Sequence, residues 1–433
     1  MIAGARIAAA IEVLEDIDER RRPAADALKD WGLAHRFAGS KDRSAIGSLV
    51  FDALRRRASS AFVMGEAGPR AVILGALRLV RGLSLEEASA LFSGEAHAPA
   101  PMSEKERELF ASASLEGAPA HVAGDFPAWL EPSFAAVFED RLIAETSALA
   151  ERAPVDVRVN TLKCSRDKAL LSLAHLNAAV TPLSPLGLRL PLTPEGRNPA
   201  LAAEPDYVKG RVEVQDEGSQ LAAMLAAAKP GEQVLDLCAG AGGKTLALAA
   251  LMQNKGQIYA SDSDGRRLMP IYARLERAGA RNVQVRAPRR GEGGLADLVG
   301  ACDLVMIDAP CTGTGAWRRN PDAKWRMRPG ALEQRIADQD QTLAAAARFV
   351  KPRGRILYVT CSLLREENED RIAAFLAIHP DFHAVGAQEM AENAGLPQLG
   401  AFASSMGPGV RLSPATTGTD GFFIALLTRS NLS

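Results

Sequence analysis

From residue 233 onward, short apolar segments typical of strands alternate with segments of helical periodicity, and this alternation constrains the fold more than any other feature. The strand-like segments lie at residues 233–237, 257–262, 282–286, 303–307 and 354–360. Strands that alternate with helices in this way are typical of a doubly wound parallel sheet. We therefore predict an α/β fold in which ligands bind outside the carboxyl ends of the strands.

Two cysteines, Cys311 and Cys361, follow the last two of these strands. In a sheet of order 3-2-1-4-5 these strands are neighbours, so we expect the two thiols side by side. A single cysteine at a strand end is usually a small buried hydrophobe. Two cysteines at a ligand crevice instead indicate a reactive pair. Because Cys361 is expected to precede a helix, we predict that the helix N-terminus lowers its pKa.

A glycine-rich turn at residues 236–245 (Asp-Leu-Cys-Ala-Gly-Ala-Gly-Gly-Lys-Thr) follows the first strand. Gly240, Gly242 and Gly243 permit a tight bend, and the next helix offers its first amides to a carboxylate or phosphate. The Lys-Thr pair suggests a P-loop, but a Walker motif requires glycine at the position of Cys238. An ATPase is therefore disfavoured.

Two acids follow the second strand. Asp262 lies about 20 residues beyond the glycines, where an acid holds the ribose of an adenosine cofactor. The alternative is a helix N-cap, for which Asp264 is well placed. We assign the ribose to Asp262.

The 433 residues leave room for two to four domains. Residues 1–92 have helical periodicity throughout, residues 93–127 are rich in Gly, Ala, Pro and Ser and predict a linker, and a small α+β pattern follows. That pattern comprises a helix at 134–151, a strand at 155–160 and a return strand at 186–192. A last apolar run, at 421–427, predicts an edge strand.

Composition excludes several classes of protein. No run approaches the ~20 apolar residues of a membrane span, and the net charge of −1 gives no global attraction to nucleic acid. The 5 cysteines form no C-x-x-C pair, so neither a disulfide framework nor a zinc site is indicated. Basic clusters at residues 20–22, 41–43 and 55–57 are either solvated helix faces or an RNA-phosphate footprint.

The signature segments are residues 308–315 (Asp-Ala-Pro-Cys-Thr-Gly-Thr-Gly), 318–325 (Arg-Arg-Asn-Pro-Asp-Ala-Lys-Trp), 360–362 (Thr-Cys-Ser), 366–369 (Glu-Glu-Asn-Glu) and 420–423 (Asp-Gly-Phe-Phe). Together they resemble the Fmu/Sun family of RNA 5-methylcytosine methyltransferases, over about residues 150–430. The N-terminal helical region looks like the NusB-like RNA-binding domain. In the bacterial enzymes that modify small-subunit ribosomal RNA, that domain is joined to this catalytic core.

The resemblance implies a Rossmann-like methyltransferase core and a role for each of three side chains. Cys361 adds as thiolate to carbon 6 of cytosine, which activates carbon 5. Asp308 binds the base edge at N3 and the exocyclic amine. Cys311 acts in removing the carbon 5 proton, after which Cys361 is eliminated.

The resemblance also implies S-adenosyl-L-methionine as cofactor, with Asp262 at its ribose and Asp308 on the methyl-donor side. The residues expected at its methionine end are Cys238, Ala239, Gly240, Ala241, Gly242, Gly243 and Lys244. The chain departs from the family at Gly240 and Ala241, where Ala-Pro is usual. It also departs after the third strand, where the family has an acid and residues 285–290 contain none.

Five basic residues are candidates for RNA contacts. Arg158 and Lys163 could bind phosphates or be solvated charges at a strand end. Arg318, Arg319 and Lys324 follow the cysteine loop and are the better candidates for holding the RNA backbone.

These observations predict a three-part enzyme. Residues 1–127 form an all-α NusB-like RNA-binding domain with a linker, 128–209 a small α+β RNA-recognition module, and 210–433 the Rossmann-like catalytic domain. The predicted reaction is methylation of carbon 5 of cytosine in RNA, chiefly small-subunit (16S) rRNA. The alternatives are a tRNA cytosine-5 methyltransferase and a non-catalytic RNA-binding assembly factor on the same scaffold.

We expect a cytoplasmic monomer that needs no metal ion and no membrane. Its RNA partner must present a single-stranded or splayed cytosine, because a stacked base exposes neither face to a thiol.

Overall fold

The computed structural model describes residues 1–192, 199–288 and 294–431. The chain divides into two compact units. The first, here the helical unit, comprises Met1–Arg152 and Trp317–Arg328. The second, here the sheet unit, comprises Ala153–Ala316 and Pro329–Ser433.

The described helices, in chain order, are α1 (Ala3–Arg20), α2 (Ala24–Ala34), α3 (Ser40–Arg55), α4 (Arg57–Met64), α5 (Pro69–Leu79), α6 (Leu85–Leu91), α7 (Glu104–Ala111), α8 (Ala120–Ala123), α9 (Glu131–Phe138), α10 (Leu142–Leu149), α11 (Arg166–Ser172), α12 (Pro205–Val208), α13 (Glu217–Leu225), α14 (Gly243–Leu251), α15 (Gly265–Leu268), α16 (Ile271–Ala278), α17 (Pro321–Arg326), α18 (Pro329–Phe349), α19 (Glu369–Ile378), α20 (Ala387–Asn393) and α21 (Pro414–Thr417). The strands are β1 (Val155–Val159), β2 (Ala179–Val180), β3 (Gly187–Leu190), β4 (Val212–Val214), β5 (Gln233–Asp236), β6 (Gln257–Ser261), β7 (Val283–Arg286), β8 (Cys302–Asp308), β9 (Val350–Thr360), β10 (Phe382–Ala384), β11 (Val410–Leu412) and β12 (Phe422–Arg429).

The helical unit buries the apolar stripes that the sequence periodicity predicts. Val13 and Leu14 of α1 and Ile46 and Val50 of α3 are buried in its core, together with residues of α5. Helix α1 packs against α2, α3 and α5. The prediction of helices over residues 1–92 is confirmed.

The prediction of a linker at 93–127 is wrong, because this stretch carries its own helices and belongs to the core. Helix α7 begins at a capping box in which Ser103 and Glu106 satisfy each other's backbone N–H groups. Phe110 and Phe126 are fully buried. Two large aromatic side chains therefore hold this Gly- and Pro-rich stretch against the helices.

Residues 317–328 return to the helical unit from a distant part of the sequence. Trp325 donates from Nε1 to the Leu54 carbonyl at 2.6 Å, and the buried Trp317 ring lies edge-on to Phe134. Helix α17 therefore completes the helical unit although it follows β8 in the chain.

The described residues of the sheet unit form two sheets. The smaller is antiparallel in the order β2-β3-β1-β4, and Ser165 caps α11. Its last strand, β4, pairs with β1, so the small sheet extends beyond the expected boundary at residue 209. The other expected boundary, at residue 127, lies inside the helical unit.

The larger sheet has the order β10-β12-β9-β8-β5-β6-β7, with β11 paired to β12. Strands β5 to β9 pair in parallel, and their order confirms the predicted 3-2-1-4-5 arrangement. The edge-strand prediction for residues 421–427 is wrong, because β12 lies between β9 and β10 and is buried on both sides. None of the helices described combines the length and the hydropathy that a membrane span requires.

Candidate active site

The two cysteines meet at the carboxyl edge of the large sheet. Cys361 directly follows β9, and Cys311 follows the Asp-Ala-Pro turn after β8. Their Sγ atoms are 3.4 Å apart, and both residues are partly buried. The parallel register, which sets Asp308 opposite Val359, brings the two loops together. The predicted juxtaposition of the thiols is therefore present in the structure.

A hydrogen bond between the two thiols affects the acidity of Cys311. The bond to Cys361, together with burial, raises the pKa of the Cys311 thiol well above its ordinary value. The α-helix expected directly after Cys361 begins only at Glu369, so Cys361 does not lie at a helix N-terminus. Cys361 contacts the neighbouring thiol instead.

A buried carboxylate fixes the loop that carries Cys311. Glu367 is fully buried, and its Oε1 accepts from the Thr312 backbone N–H at 2.8 Å and from Gln339 Nε2 at 3.0 Å. The Thr312 hydroxyl donates to Oε2. Burial raises the pKa of Glu367. Because Thr312 directly follows Cys311, this network sets the position of the thiol.

A second network joins the two cysteine loops through hydroxyls. The Thr314 hydroxyl accepts from the Leu363 N–H at 2.9 Å and lies 3.2 Å from the Ser362 hydroxyl. Gly315 donates its N–H to the Cys361 carbonyl at 2.9 Å. A Cβ at Gly315 would lie 2.2 Å from the Gly421 carbonyl oxygen. Glycine at this position thus allows the loop to contact the turn before β12.

Lys244, from the first turn of α14, forms an ion pair with Asp308. Its Nζ lies 2.7 Å from Asp308 Oδ2 and 5.4 Å from the centre of the Phe422 ring. Burial opposes the ammonium charge, but the Asp308 carboxylate outweighs it, so the pKa of Lys244 is raised. Lys244 is therefore charged at neutral pH and orients a carboxylate that is 37% exposed at the crevice.

Asp236, at the end of β5, lies beneath the glycine turn. It is buried, and its Oδ2 accepts from the Thr245 hydroxyl at 2.6 Å. Burial raises the pKa of Asp236 to about 7. Its Oδ1 is also buried and has no hydrogen-bond partner among the described residues. An orphaned carboxylate oxygen at this position fits the positively charged amino group of a bound ligand.

The glycine turn is held by the acids after β6. Asp262 accepts from the Gly240 N–H at Oδ2 and from the Asp264 N–H at Oδ1, each at 2.9 Å. Asp264 caps α15, as its position in the sequence suggested. Gly242 has φ +84°, and a Cβ there would lie 2.5 Å from Ile271. The turn therefore needs glycine at this position for conformation and for space.

A cleft of about 520 Å³ opens beside the glycine turn. Cys238 after β5, Asp262 after β6 and Pro310 after β8 all line it. The cleft therefore lies at the topological switch point, where α/β sheets bind nucleotide-like ligands. Among the described residues, no cluster of His, Cys, Asp and Glu could hold a metal ion.

The departure after the third strand lies at the wall of the same cleft. Ala287 and Pro288 line it, whereas positions 289 and 290 are outside the described residues. Arg286 binds Asp297 at 2.8 Å and lies over the Tyr259 ring. Asp297 thus neutralises the charge of Arg286 at this wall of the cleft.

Arg158 does not have the expected role in phosphate binding. It is buried and donates from Nη1 to the Gly243 carbonyl at 2.9 Å and to the Gln215 side chain. Burial lowers its pKa to about 10. The guanidinium therefore supports the glycine turn from the small sheet and is not offered to RNA.

The other RNA candidates are also largely engaged within the protein. Lys324 is buried, and its Nζ donates to the carbonyls of Arg55 and Asp125. Arg318 is buried as well. Lys163 is exposed, but its Nζ donates to two backbone carbonyls. Burial and intramolecular contacts thus correct the phosphate-binding prediction for Lys324 and Arg318, while Arg319 is half-buried.

The arginine clusters of the helical unit are paired with acids. Arg22 lies 2.7 Å from both Asp16 and Asp30, and Arg57 lies 2.7 Å from Asp18. These clusters are therefore intramolecular ion pairs in the structure, and the interpretation as a phosphate footprint loses its support at 20–22 and 55–57.

Several supporting residues had no role in the sequence-based prediction. Glu367 and Asp236 lie inside recognised motifs, but only the fold shows that each is a buried carboxylate aimed at a loop. Gln215, which holds Arg158, lies in no motif. Glu367 lies in the Glu-Glu-Asn-Glu segment, which the family resemblance includes. The segment contains three glutamates, however, and the local sequence does not indicate which of them are buried.

Comparison with known proteins agrees with this geometry. The sequence family described as 16S rRNA methyltransferase RsmB/F matches residues 223–428. The probable ribosomal RNA small subunit methyltransferase B of Synechocystis sp. is 33% identical over 311 residues, which are 70% of this chain and 67% of that protein. Ribosomal RNA small subunit methyltransferase B of Sodalis glossinidius is 36% identical over 305 residues, 69% of this chain and 64% of that protein.

A solved structure described as "Crystal Structure of PH0851" superposes with a TM-score of 0.74 at 26% identity and covers 99% of each chain. The chain spans about two thirds of the length of the curated relatives it matches. The resemblance of the catalytic core and its Rossmann-like fold are confirmed, whereas the NusB-like assignment of the helical unit stays a prediction. The chain belongs to the RsmB/F family of S-adenosylmethionine-dependent 16S rRNA methyltransferases.

Proposed function

We propose that this protein methylates carbon 5 of cytosine in small-subunit ribosomal RNA through a covalent cysteine–cytosine intermediate. The observation that carries the proposal is the pair of thiols 3.4 Å apart, beside a carboxylate that a buried lysine holds. A nucleophile, a second acid–base group and a base-binding carboxylate are the groups that addition and elimination at a pyrimidine require.

The residues around the cleft fit S-adenosyl-L-methionine. Asp236 Oδ1 would receive the amino group of the methionine end, and the amides after Gly242 would face its carboxylate. Asp262 lines the same cleft and would hold the ribose. When bound there, the cofactor supplies an electrophilic methyl group to the crevice that contains Asp308.

Cys361 is the better nucleophile of the two thiols. The raised pKa of Cys311 keeps its proton in place, so its S–H can donate a hydrogen bond to Cys361 once Cys361 has lost its own proton to solvent. Cys361 then forms a bond from Sγ to carbon 6 of cytosine. The ring electrons shift toward N3, which takes up a proton from solvent and returns it at elimination. The Asp308 carboxylate, oriented by Lys244, accepts from this N3–H and from the exocyclic amine.

Cys311 acts after methyl transfer. Once Cys361 has become a neutral thioether, Cys311 no longer donates a hydrogen bond to a thiolate and no longer faces its charge, so it releases its proton to solvent more readily and becomes a thiolate. Cys311 Sγ takes the proton from carbon 5, the bond between carbon 6 and Cys361 Sγ breaks, and methylated RNA leaves. The base must be unstacked for this chemistry, so the target is single-stranded or splayed. Because the substrate is ribosomal RNA, the enzyme is expected in the cytoplasm.

The roles of the two thiols can be distinguished by denaturing electrophoresis of the wild-type protein, Cys311→Ala and Cys361→Ala. Each protein is incubated with S-adenosylmethionine and either small-subunit rRNA fragments or tRNA transcripts. Cys311→Ala should retain a covalent RNA adduct, because methyl transfer proceeds but elimination does not. Cys361→Ala should form no adduct and transfer no methyl group.

An adduct in Cys361→Ala would refute the nucleophile assignment. Preferential methylation of tRNA would replace the rRNA substrate with the tRNA alternative. RNA binding without methyl transfer on either substrate, or on partly assembled ribosomal particles, would favour a non-catalytic assembly factor.

A further inference from the structure

An aromatic ladder reaches the surface between α2 and α3. The rings of Trp31 and His35 stack with their centroids 4.3 Å apart, and Phe37 lies edge-on to His35 at 5.7 Å. Trp31 is 8% exposed and Phe37 is 73% exposed. The ladder therefore runs from the core of the helical unit to solvent. We call its exposed part, with its polar neighbours, the α2–α3 surface (Leu33, His35, Arg36, Phe37, Lys41 and Arg43).

Folding does not account for the exposed end of this ladder. Phe37 and Leu33, at 73% and 61% exposed, bury little of their apolar area. The inner rings are nevertheless fixed, because Trp31 Nε1 donates to Glu12 at 2.8 Å and His35 Nδ1 lies 2.9 Å from the Trp31 carbonyl. Because Trp31 and His35 are fixed, the exposed Phe37 ring that packs on His35 is preorganised for contact with a flat apolar partner.

The cations around the ladder are not neutralised by acids in the described part of the chain. Arg36, Lys41 and Arg43 are exposed, and no ion pair with a described residue engages them. The two acids within residues 29–43 are occupied elsewhere. Asp42 binds Arg6 and the N-terminal ammonium, and Asp30 binds Arg22. The α2–α3 surface thus carries net positive charge, unlike the paired arginine clusters nearby in the sequence.

The start of α3 adds backbone donors to this charge. Its N-cap is Gly39, which supplies no side chain to the first N–H groups of the helix. Helix α3 has 16 residues, so its N-terminal partial charge is developed. Open amides beside Lys41 and Arg43 favour an anion such as a phosphate.

An exposed ring beside cations that form no ion pair with described acids is the combination that binds single-stranded nucleic acid, in which bases stack on aromatic faces and phosphates meet basic groups. A duplex offers no free base face to Phe37. We propose that the α2–α3 surface binds a single-stranded segment of RNA, with a base on Phe37 and phosphates on Arg36, Lys41 and Arg43. The choice of RNA over DNA rests on the proposed function.

Binding of a fluorescein-labelled single-stranded RNA of about 12 nucleotides, within the usual span of a single-strand site, tests this proposal by anisotropy on the full chain. Phe37→Ala should weaken binding by about 5- to 150-fold, since stacking on one aromatic ring accounts for about that factor. It should leave the affinity for heparin, a polyanion without bases, unchanged. The matched control is Phe62→Ala, which removes another partly exposed phenylalanine of the helical unit.

The double variant Arg36→Gln, Lys41→Gln should weaken binding of both RNA and heparin. For single-stranded RNA the slope of log affinity against log salt should decrease by about 0.7 for each cation removed. Lys105→Gln, at an exposed lysine of α7, is the control. The variants at Arg36, Phe37 and Lys41 should melt at the wild-type temperature, because these side chains are exposed.

The proposal is wrong if Phe37→Ala binds single-stranded RNA as tightly as Phe62→Ala does. Equal loss for duplex and single-stranded RNA would also overturn it, because stacking would then not contribute. In the methylation assay Phe37→Ala should raise KM and leave kcat unchanged. If the wild type binds RNA through Phe37 but transfers no methyl group, the proposed function is wrong, whereas the proposal that the α2–α3 surface binds single-stranded RNA is supported.

Discussion

At the scale of single residues, the ion pair between Lys244 and Asp308 can be tested directly by enzyme kinetics. Lys244 Nζ holds Asp308 Oδ2 at 2.7 Å in a partly exposed crevice. Without the ammonium, Asp308 would lose its orientation and the positive charge that balances its own charge. Lys244→Met should therefore lower kcat by about 100- to 1000-fold, as the loss of a preorganised electrostatic group does.

Steady-state methylation at saturating RNA and cofactor measures this effect, with Lys255→Met, at an exposed lysine, as the control. If Lys244→Met kept the wild-type kcat, the orienting role of the pair would be refuted. Lys244→Arg should recover part of the rate, because a cation near Asp308 is restored.

The raised pKa of Asp236 predicts how the free energy of unfolding depends on pH. Burial raises its pKa from 3.8 to about 7, so between these values the folded state binds a proton that the unfolded state does not. The free energy of unfolding should therefore fall as pH rises from about 4 to 7, by roughly 2–4 kcal/mol. Asp236→Asn is neutral throughout this range and should lack this contribution.

The measurement is urea unfolding of both proteins, followed by tyrosine absorbance. All 4 tyrosines (Tyr207, Tyr259, Tyr272 and Tyr358) lie in the sheet unit. The difference in stability between wild type and Asp236→Asn should decrease from about pH 4 to 7 and stay constant above it. A difference independent of pH would mean that Asp236 is ionised in the folded protein.

At the scale of elements, the sequence specified the central strands better than the segments between them. Strands β5 to β9 and the meeting of Cys311 with Cys361 followed from local periodicity and a general rule of sheet order. Helix α7 was missed because Gly- and Pro-rich flanks mask its capping box. The central position of β12 and the insertion of α17 depend on pairing between distant segments, which no local pattern states.

Helix α17 carries an ammonium into the core of the helical unit, and this has a measurable effect. Burial lowers the pKa of Lys324 from 10.5 to about 7, against the attraction of Asp125. Between these values the unfolded chain binds a proton that the folded chain does not, so stability should rise as pH increases from about 7 to 10. Relative to Lys324→Met, the wild type should gain roughly 2–4 kcal/mol over this range.

Tryptophan fluorescence during urea unfolding reports this effect selectively. All 4 tryptophans (Trp31, Trp129, Trp317 and Trp325) belong to the helical unit. A stability difference that does not change between about pH 7 and 10 would show that Lys324 stays protonated in the fold, held by its two carbonyl acceptors.

At the scale of the whole molecule, the helical unit is discontinuous in sequence, and this makes its integrity depend on residues far along the chain. A fragment of residues 1–152 lacks the Trp325 indole that binds the Leu54 carbonyl and the Lys324 amino group that binds the Arg55 and Asp125 carbonyls. It also lacks the Asp322 carboxylate that accepts from the Ala24 N–H. The fragment alone would expose the apolar surface that Trp317 covers.

We therefore expect residues 1–152 to fold with reduced stability, and a synthetic peptide of residues 317–328 to restore it in trans. Because the peptide binds the folded fragment and not the unfolded chain, the melting temperature should rise with peptide concentration, by several degrees at about a hundredfold excess over Kd. Circular dichroism of the fragment with increasing peptide measures this. A peptide carrying Lys324→Ala and Trp325→Ala should have little effect, because it lacks three hydrogen bonds to the carbonyls of α3 and its neighbours. Equal stabilisation by both peptides, or none by either, would show that the helical unit does not depend on these side chains for its fold.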